Sequence, residues 1–324
     1  MVAGWLAGRA VADVSIYSEH AEKWNDSLTL FLPDGTTLDG RIDKVSSDPA
    51  IVRDSDCVLL CYPGFKIRDA LLKIRPHLKK DCYVGTVFSS TGFFFEAPNI
   101  LPESQPLWGF QRVPFISRVR EYGRSASLLG FKPSLDIAVE RVDNAAKEAF
   151  AAELSRMFDR PVHLLSNYYE ASLSNSNPIL HPARLYDLFG GENEGKIRPR
   201  MVYFYEEWTE NAAQLLIDMD KELFDVLETL PVRKGFLPRI LDYYESSDAA
   251  SLAAKLRSIP AFKGIPAPMV QTEEGWIADW SSRYFTEDFP YGLRYICLLA
   301  RKNNVEVPLL ESILQWGEGK IMQR

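Results

Sequence analysis

The chain has 324 residues, about two domains' worth at roughly 150 each. Its 46% hydrophobic and 25% charged residues are those of an ordinary globular protein. Lys and Arg number 37 against 44 Asp and Glu, a formal charge of -7. That balance argues against nucleic acid as the main partner, because neutralising phosphates needs a basic surface, but it leaves room for a small anion held by one or two cations. No apolar run approaches the roughly 18 residues of a membrane helix, so no spanning segment is expected.

The first eight residues are mostly apolar. No basic segment precedes them and no small-residue cleavage site follows, so a signal peptide is not expected. The cysteines, Cys57, Cys61, Cys82 and Cys297, make no CxxC pair, and the histidines, His20, His77, His163 and His181, are scattered. No metal site is expected from them, and unpaired cysteines fit a reducing, cytoplasmic setting.

In the first half, β-rich runs alternate with helical patterns. Val11–Tyr17 reads as a strand and Glu19–Trp24 as a short polar turn or helix. Leu28–Leu32 and Thr37–Ile42 flank Pro33-Asp34-Gly35, a hairpin signal. Cys57–Cys61 is a continuous apolar run, as expected of a buried parallel strand, and Tyr62-Pro63-Gly64 follows it. Ile67–Leu78 has helical spacing and Tyr83–Ser89 is another strand. Further strands are expected near Leu107–Val113 and Ser134–Val139, then a helix at Asn144–Phe158 and strand-like Val162–Leu165. The alternation predicts a mostly parallel sheet covered by helices.

The second half reads as helical. Val202, Tyr205, Trp208, Ala212, Leu215, Leu216, Met219, Leu223, Val226 and Leu227 form one stripe at 3.6 periodicity, predicting a helix over Met201–Leu230. Asp248–Arg257 is a shorter helix, Ile259–Met269 a proline-punctuated loop, and Pro290–Arg301 and Pro308–Trp316 are helices opened by proline, with Gly317 as a C-cap. The fold class is therefore α/β followed by all-α, with residues 1–165 in one domain and 166–324 in the other. Fold alone does not give function.

Four stretches carry chemistry. In Asn177-Pro178-Ile179-Leu180-His181-Pro182, prolines flank the histidine and Pro182 is expected to bias His181 away from helical dihedrals. The alternative is that Asn177 caps a helix and His181 packs beneath it. Trp280–Asp288 carries Arg283, Glu287 and Asp288 among aromatics. An arginine fork there suits bidentate capture of a carboxylate, although Arg283 could pair with Glu287, and Asp288 could cap the following helix. Tyr62-Pro63-Gly64-Phe65 and Ser89-Ser90-Thr91-Gly92 each follow a strand, where open α/β sheets bind ligands. There is no GxGxxG and no GxxxxGK[ST], and Gly4 and Gly8 lie on an apparent helix without forming a cradle.

The combination resembles the octopine/nopaline (opine) dehydrogenase family over nearly the whole chain, most specifically in Asn177–Pro182, in Tyr243-Tyr244-Glu245 and in Arg283–Asp288. The resemblance implies a Rossmann-like NAD(P)-binding domain followed by a helical opine dehydrogenase domain, with the site in the cleft between them. It implies that His181 transfers the proton, with its ring open to the cleft, that Asp288 orients it, and that Arg283 holds the keto-acid carboxylate, with Asn177 as a further substrate-binding residue. The implied reaction joins an amino acid to a 2-keto acid and reduces the imine with nicotinamide hydride. An acid/base group near neutrality suits His181, and a carboxylate on its far nitrogen would fix the tautomer.

Family members begin with a strand and a glycine-rich turn. Here Met1–Gly8 reads as the middle of the following helix, so the front appears shortened and open sheet edges are expected beside Val11–Tyr17 and Val58–Cys61. The remaining cofactor-binding candidates are Ser18, Glu19, Pro63, Gly64 and Gly92. Glu19, an acid near the end of the second family strand, leans the choice toward NAD, while Ser18 could accept NAD or NADP. Two alternatives stand beside this reading: a non-catalytic remnant of the family, and a ketopantoate-reductase-like 2-keto acid reductase, a family that relies on lysine and lacks the histidine–proline motif.

Overall fold

The structure, a computed structural model, describes residues 1–322. It divides into two compact units, Met1–Ser172 and Leu173 onward. The strand Val162–Leu164 and the short helix Tyr168–Ser172 thus belong to the first unit.

The first unit runs α1 (Val2–Gly8), β1 (Ser15–Tyr17), β2 (Ser27–Phe31), β3 (Thr37–Arg41), β4 (Lys44–Ser46), β5 (Cys57–Leu60), α2 (Gly64–Ile74), β6 (Tyr83–Thr86) and α3 (Phe93–Glu96). It continues with β7 (Leu107–Phe110), β8 (Phe115–Glu121), β9 (Ser125–Phe131), β10 (Leu135–Glu140), α4 (Asn144–Phe158), β11 (Val162–Leu164) and α5 (Tyr168–Ser172). The main sheet has the order β11-β10-β7-β6-β5, parallel except between β10 and β7. Side chains alternate across it with period two. Trp108, Phe110, Ile137 and Val139 pack with Leu154 and Phe158 of α4 on one face. Leu60, Val84, Leu107 and Ala138 pack with Ile67, Leu71 and Ile74 of α2 on the other. A sheet covered on both faces is what continuous apolar strands require.

β1 pairs in parallel with β4 alone, and β5 ends the main sheet. Each keeps an outer edge without a strand partner among the described residues.

β2 and β3 form the expected hairpin, turning at Gly35 in the left-handed region (φ +87°). They join a second hairpin, β8–β9, in a four-stranded sheet that the sequence did not suggest. The reason is exposure: Ile116, Val119 and Leu129 face solvent, so the period-two contrast is weak. α1 lies against β3 so closely that a Cβ on Gly40 would sit 2.6 Å from the Gly8 nitrogen. Glycine is needed there for backbone approach.

The second unit contains α6 (Asn177–Phe189), α7 (Glu210–Leu227), α8 (Ile240–Tyr243), α9 (Ala249–Ser258), the hairpin β12 (Met269–Gln271) and β13 (Trp276–Ala278), α10 (Arg283–Thr286), α11 (Arg294–Lys302) and α12 (Pro308–Met322). A π turn at Phe289–Leu293 leads into α11. Three sequence expectations are corrected here. The long helix starts at Glu210 rather than Met201, because the Thr209 hydroxyl accepts from the Ala212 amide at 3.0 Å and caps it. Gly317 lies inside α12 rather than ending it, and its bare Cα makes room for Phe289: an added Cβ would lie 2.1 Å from that ring. His181 and Pro182 both lie within α6. The amide that Pro182 lacks would have bonded to Pro178 in the first turn, where helix hydrogen bonding is only beginning, so the helix tolerates the loss. Among the described residues, no helix is long and apolar enough to cross a membrane.

Candidate active site

α6 carries His181 at its second turn, and the residue is buried. Its Nδ1 lies 2.8 Å from Asp288 Oδ2, across 107 residues of sequence. Its Nε2 lies 3.0 Å from the Tyr205 hydroxyl. A carboxylate can only accept, so Nδ1 carries the hydrogen; in the neutral ring Nε2 is then the acceptor and Tyr205 donates to it. Tyr284 meets the ring edge-on at 4.6 Å and Phe204 at 5.6 Å. The open ring expected from the sequence is therefore replaced by a covered one, because α6 continues through Pro182 and turns the imidazole into this aromatic cluster.

Asp288 precedes the π turn but makes no side-chain bond to it, so the capping alternative is not what occurs. Arg283, at the start of α10 and next to Tyr284, is exposed. Its guanidinium has no hydrogen bond or ion pair among the described residues, Glu287 included. Asn177 opens α6 one turn before His181, on the same helix face. Ser176 holds the N-cap position, and the Asn177 amide donates to Asn175 Oδ1 at 3.3 Å.

The sequence assigned Tyr205 to a helical core stripe and passed over Arg184. Both build the site. Arg184, buried on α6, donates from Nε to the Phe204 carbonyl (3.0 Å), from Nη2 to the Glu207 carbonyl (2.7 Å) and from Nη1 to Asp187 (2.8 Å). Burial lowers its guanidinium to about 10, with Asp187 beside it opposing the shift. The arginine thereby pins the irregular segment that carries Tyr205. Tyr205 stacks on Phe262 at 4.1 Å and on Trp208 at 5.8 Å. Burial, then the neighbouring Tyr284, Tyr244 and Asp288, push its phenol well above the ordinary tyrosine range. No cluster of metal-ligating side chains occurs among the described residues.

In the first unit, Ser18 and Glu19 lie at the carboxyl end of β1. Ser18 Oγ accepts from the His20 amide and from Trp24 Nε1, both at 3.2 Å. Glu19 pairs with Lys73 and with Lys66 (3.9 Å), both on α2, and the bond from Lys73 holds its carboxyl below the usual range. Pro63 is the N-cap of α2 and Gly64 its first residue, shortly after β5. Gly92, φ +81°, passes the chain from the turn after β6 into α3, while Ser89 Oγ ties that turn to the Phe110 carbonyl at 2.8 Å. A helix that starts at a glycine after a parallel strand, with Glu19 paired to two lysines of that helix, is a setting that fits a dinucleotide.

Residues 164–321 match the family model for the α-helical domain of NAD/NADP octopine/nopaline dehydrogenases. An uncharacterized protein, y4xO, of Sinorhizobium fredii is 30% identical over 305 residues, spanning 88% of this chain and 80% of that protein. Octopine dehydrogenase of Pecten maximus is 25% identical over 97% of this chain and 84% of its own. A solved structure of octopine dehydrogenase with NADH and L-arginine superposes with a TM-score of 0.84 at 23% identity, covering 99% of this chain and 86% of that one. With the helical domain, the relatives and the fold in agreement, the chain belongs to the octopine/nopaline (opine) dehydrogenase family.

Proposed function

We propose that this chain is a nicotinamide-dependent oxidoreductase that condenses an amino acid with a 2-keto acid reductively, and runs the reverse oxidation. The observation that carries the reading is the His181–Asp288 pair, assembled across 107 residues, with the exposed Arg283 on the segment that carries the aspartate. Pro63 and Gly64 at the start of α2, Gly92, Ser18 and Glu19 would hold the cofactor, which supplies the hydride when bound. Glu19 favours NAD, whose free ribose hydroxyl it can accept from. Octopine dehydrogenase has been solved with NADH and yersinopine dehydrogenase with NADP+, so both forms occur among chains of this fold.

Arg283 holds the keto-acid carboxylate with its fork, and Asn177, one turn from His181, adds a polar contact to substrate. His181 is the source of the proton that the reacting oxygen takes up: the carbinolamine loses water only once that oxygen is protonated. Asp288 keeps the imidazole in one tautomer and stabilises its charged form. The aromatic wall of Phe204, Tyr205 and Tyr284 excludes water around the ring.

Fluorescence titration with NADH and NADPH, followed by a screen of amino acids with pyruvate that follows cofactor oxidation, tests the proposal. Turnover should require an amine, and His181→Ala should lower it by roughly 10²–10⁴. A chain that binds neither cofactor would be a non-catalytic remnant. Keto-acid reduction independent of any amine would point to the ketopantoate-reductase type.

A further inference from the structure

The imidazole of His181 has a protein partner on each nitrogen, so no ring nitrogen is left for a substrate atom. The partner on Nε2, the Tyr205 hydroxyl, is not positioned to swing aside. Its ring lies between Phe262 and Trp208 and meets Phe204 edge-on at 4.9 Å. Arg184 clamps the backbone on both sides of it, through the carbonyls of Phe204 and Glu207. The phenol makes no other hydrogen bond among the described residues. A buried hydroxyl with one donor–acceptor position satisfied by the proton-transfer histidine and the other open is an exit for that proton.

Resting on the reading of His181 as the acid/base group, we infer that Asp288, His181 and Tyr205 form a three-member proton relay whose terminal atom, the one facing the reacting oxygen, is the Tyr205 hydroxyl. When the reacting oxygen is protonated, the phenol O–H bond breaks toward it and the Nε2–H of the imidazolium passes to the phenol oxygen. The imidazole returns to its neutral, Nδ1–H form, Tyr205 ends with one hydrogen, and no tyrosinate accumulates. The reverse reaction runs the same transfers backward. Tyr205 is suited to this because burial and the nearby Tyr284, Tyr244 and Asp288 keep its phenol protonated. The groups facing the imidazole are Asp288, Tyr205, Tyr284 and Phe204.

The first measurement needs no substrate. In the chain labelled with ¹⁵N in its histidine rings, there are four histidines to resolve. At a pH where the ring is neutral, His181 should show a protonated Nδ1 and a hydrogen-bonded acceptor Nε2. Tyr205→Phe should shift the Nε2 resonance of His181 and leave those of His20, His77 and His163 in place. An Nε2–H tautomer, or a spectrum unmoved by the substitution, overturns the relay.

The second measurement is turnover with the best amino acid and keto acid pair from the screen. Tyr205→Phe should lose about 10² or more in kcat with NADH affinity and melting temperature unchanged. Combining it with His181→Ala should add little, because members of one relay act as a unit. Tyr205→Phe within threefold of the parent, with His181→Ala inactive, leaves the histidine reading standing and removes the relay. An active His181→Ala removes the histidine reading itself. Should phenylalanine loosen the aromatic stack, 3-fluorotyrosine at position 205 keeps the ring and alters only the acidity of its hydroxyl; a displaced pH–rate profile supports the relay and an unchanged one overturns it.

Discussion

Asp288 and Glu19 are the carboxylates of the two candidate sites, and the protein treats them in opposite ways. The Asp288 side chain is 18% exposed and meets an imidazole that is 9% exposed, inside a wall of aromatic rings. The Glu19 side chain is 49% exposed and its lysine partners are 44% and 47% exposed. A charge interaction is strong where water is excluded and weak where water and salt screen it. The first arrangement can therefore dictate where a proton sits. The second is solvated and contributes little to holding the fold together.

The sharpest way to break this contrast is Asp288→Asn. An amide can donate to Nδ1, which moves the imidazole hydrogen to Nε2 and sets it against the Tyr205 hydroxyl. Turnover should fall by about 10² or more, with melting temperature changed far less; similar turnover in the variant would show that the carboxylate does not choose the tautomer.

Asp220 on α7 extends the comparison to a buried carboxylate with no role in either site. Burial pushes it up to about 6, although it accepts from the Ile240 amide at 3.3 Å and lies 3.7 Å from Arg239. Between about pH 4 and pH 6 the folded chain then binds a proton that the unfolded chain has already released, so this group lowers stability as pH rises through that window. The effect amounts to roughly 2–3 kcal/mol at most between pH 4 and pH 7. Urea unfolding should show Asp220→Asn gaining stability relative to the parent as pH rises from 4 to 7.

The smallest effect belongs to Glu19→Gln. Melting temperature should stay within error of the parent at any salt concentration, because both partners are solvated. NADH affinity should fall relative to NADPH affinity. A large loss of stability would mean that the Glu19 pairs are structural after all.

The His181–Asp288 contact was an expectation of the family resemblance, since the motifs alone left packing of the histidine and capping by the aspartate open. Tyr205 was not legible, since Val202, Tyr205 and Trp208 are spaced by three and imitate a helical stripe. The signal against that helix was Thr209, a capping residue in the middle of the run. The βα alternation and the helix Asn144–Phe158 were legible from apolar patterning alone. The β8–β9 hairpin was hidden because part of its apolar surface faces solvent, with Val119 69% exposed. His181 sits in a helix despite Pro182 because packing overrides a local dihedral preference. Gly292 illustrates that packing: an added Cβ there would lie 2.8 Å from Pro178.

The β1–β4 ladder joins three residue pairs and, among the described residues, has no further strand beside β1, whereas β6 is largely buried and paired on both sides. Such a short ladder should open on its own, without unfolding the rest of the unit, and its amides should take up deuterium well before those of β6. The amide of Ser18, which donates to the Ser46 carbonyl at 3.0 Å, lies at its end. A ligand gripping Ser18 and Glu19 would have to order this flap, so part of its binding energy goes into that ordering, and the slowing of deuterium uptake at Ser15–Ser18 becomes a direct gauge of occupancy.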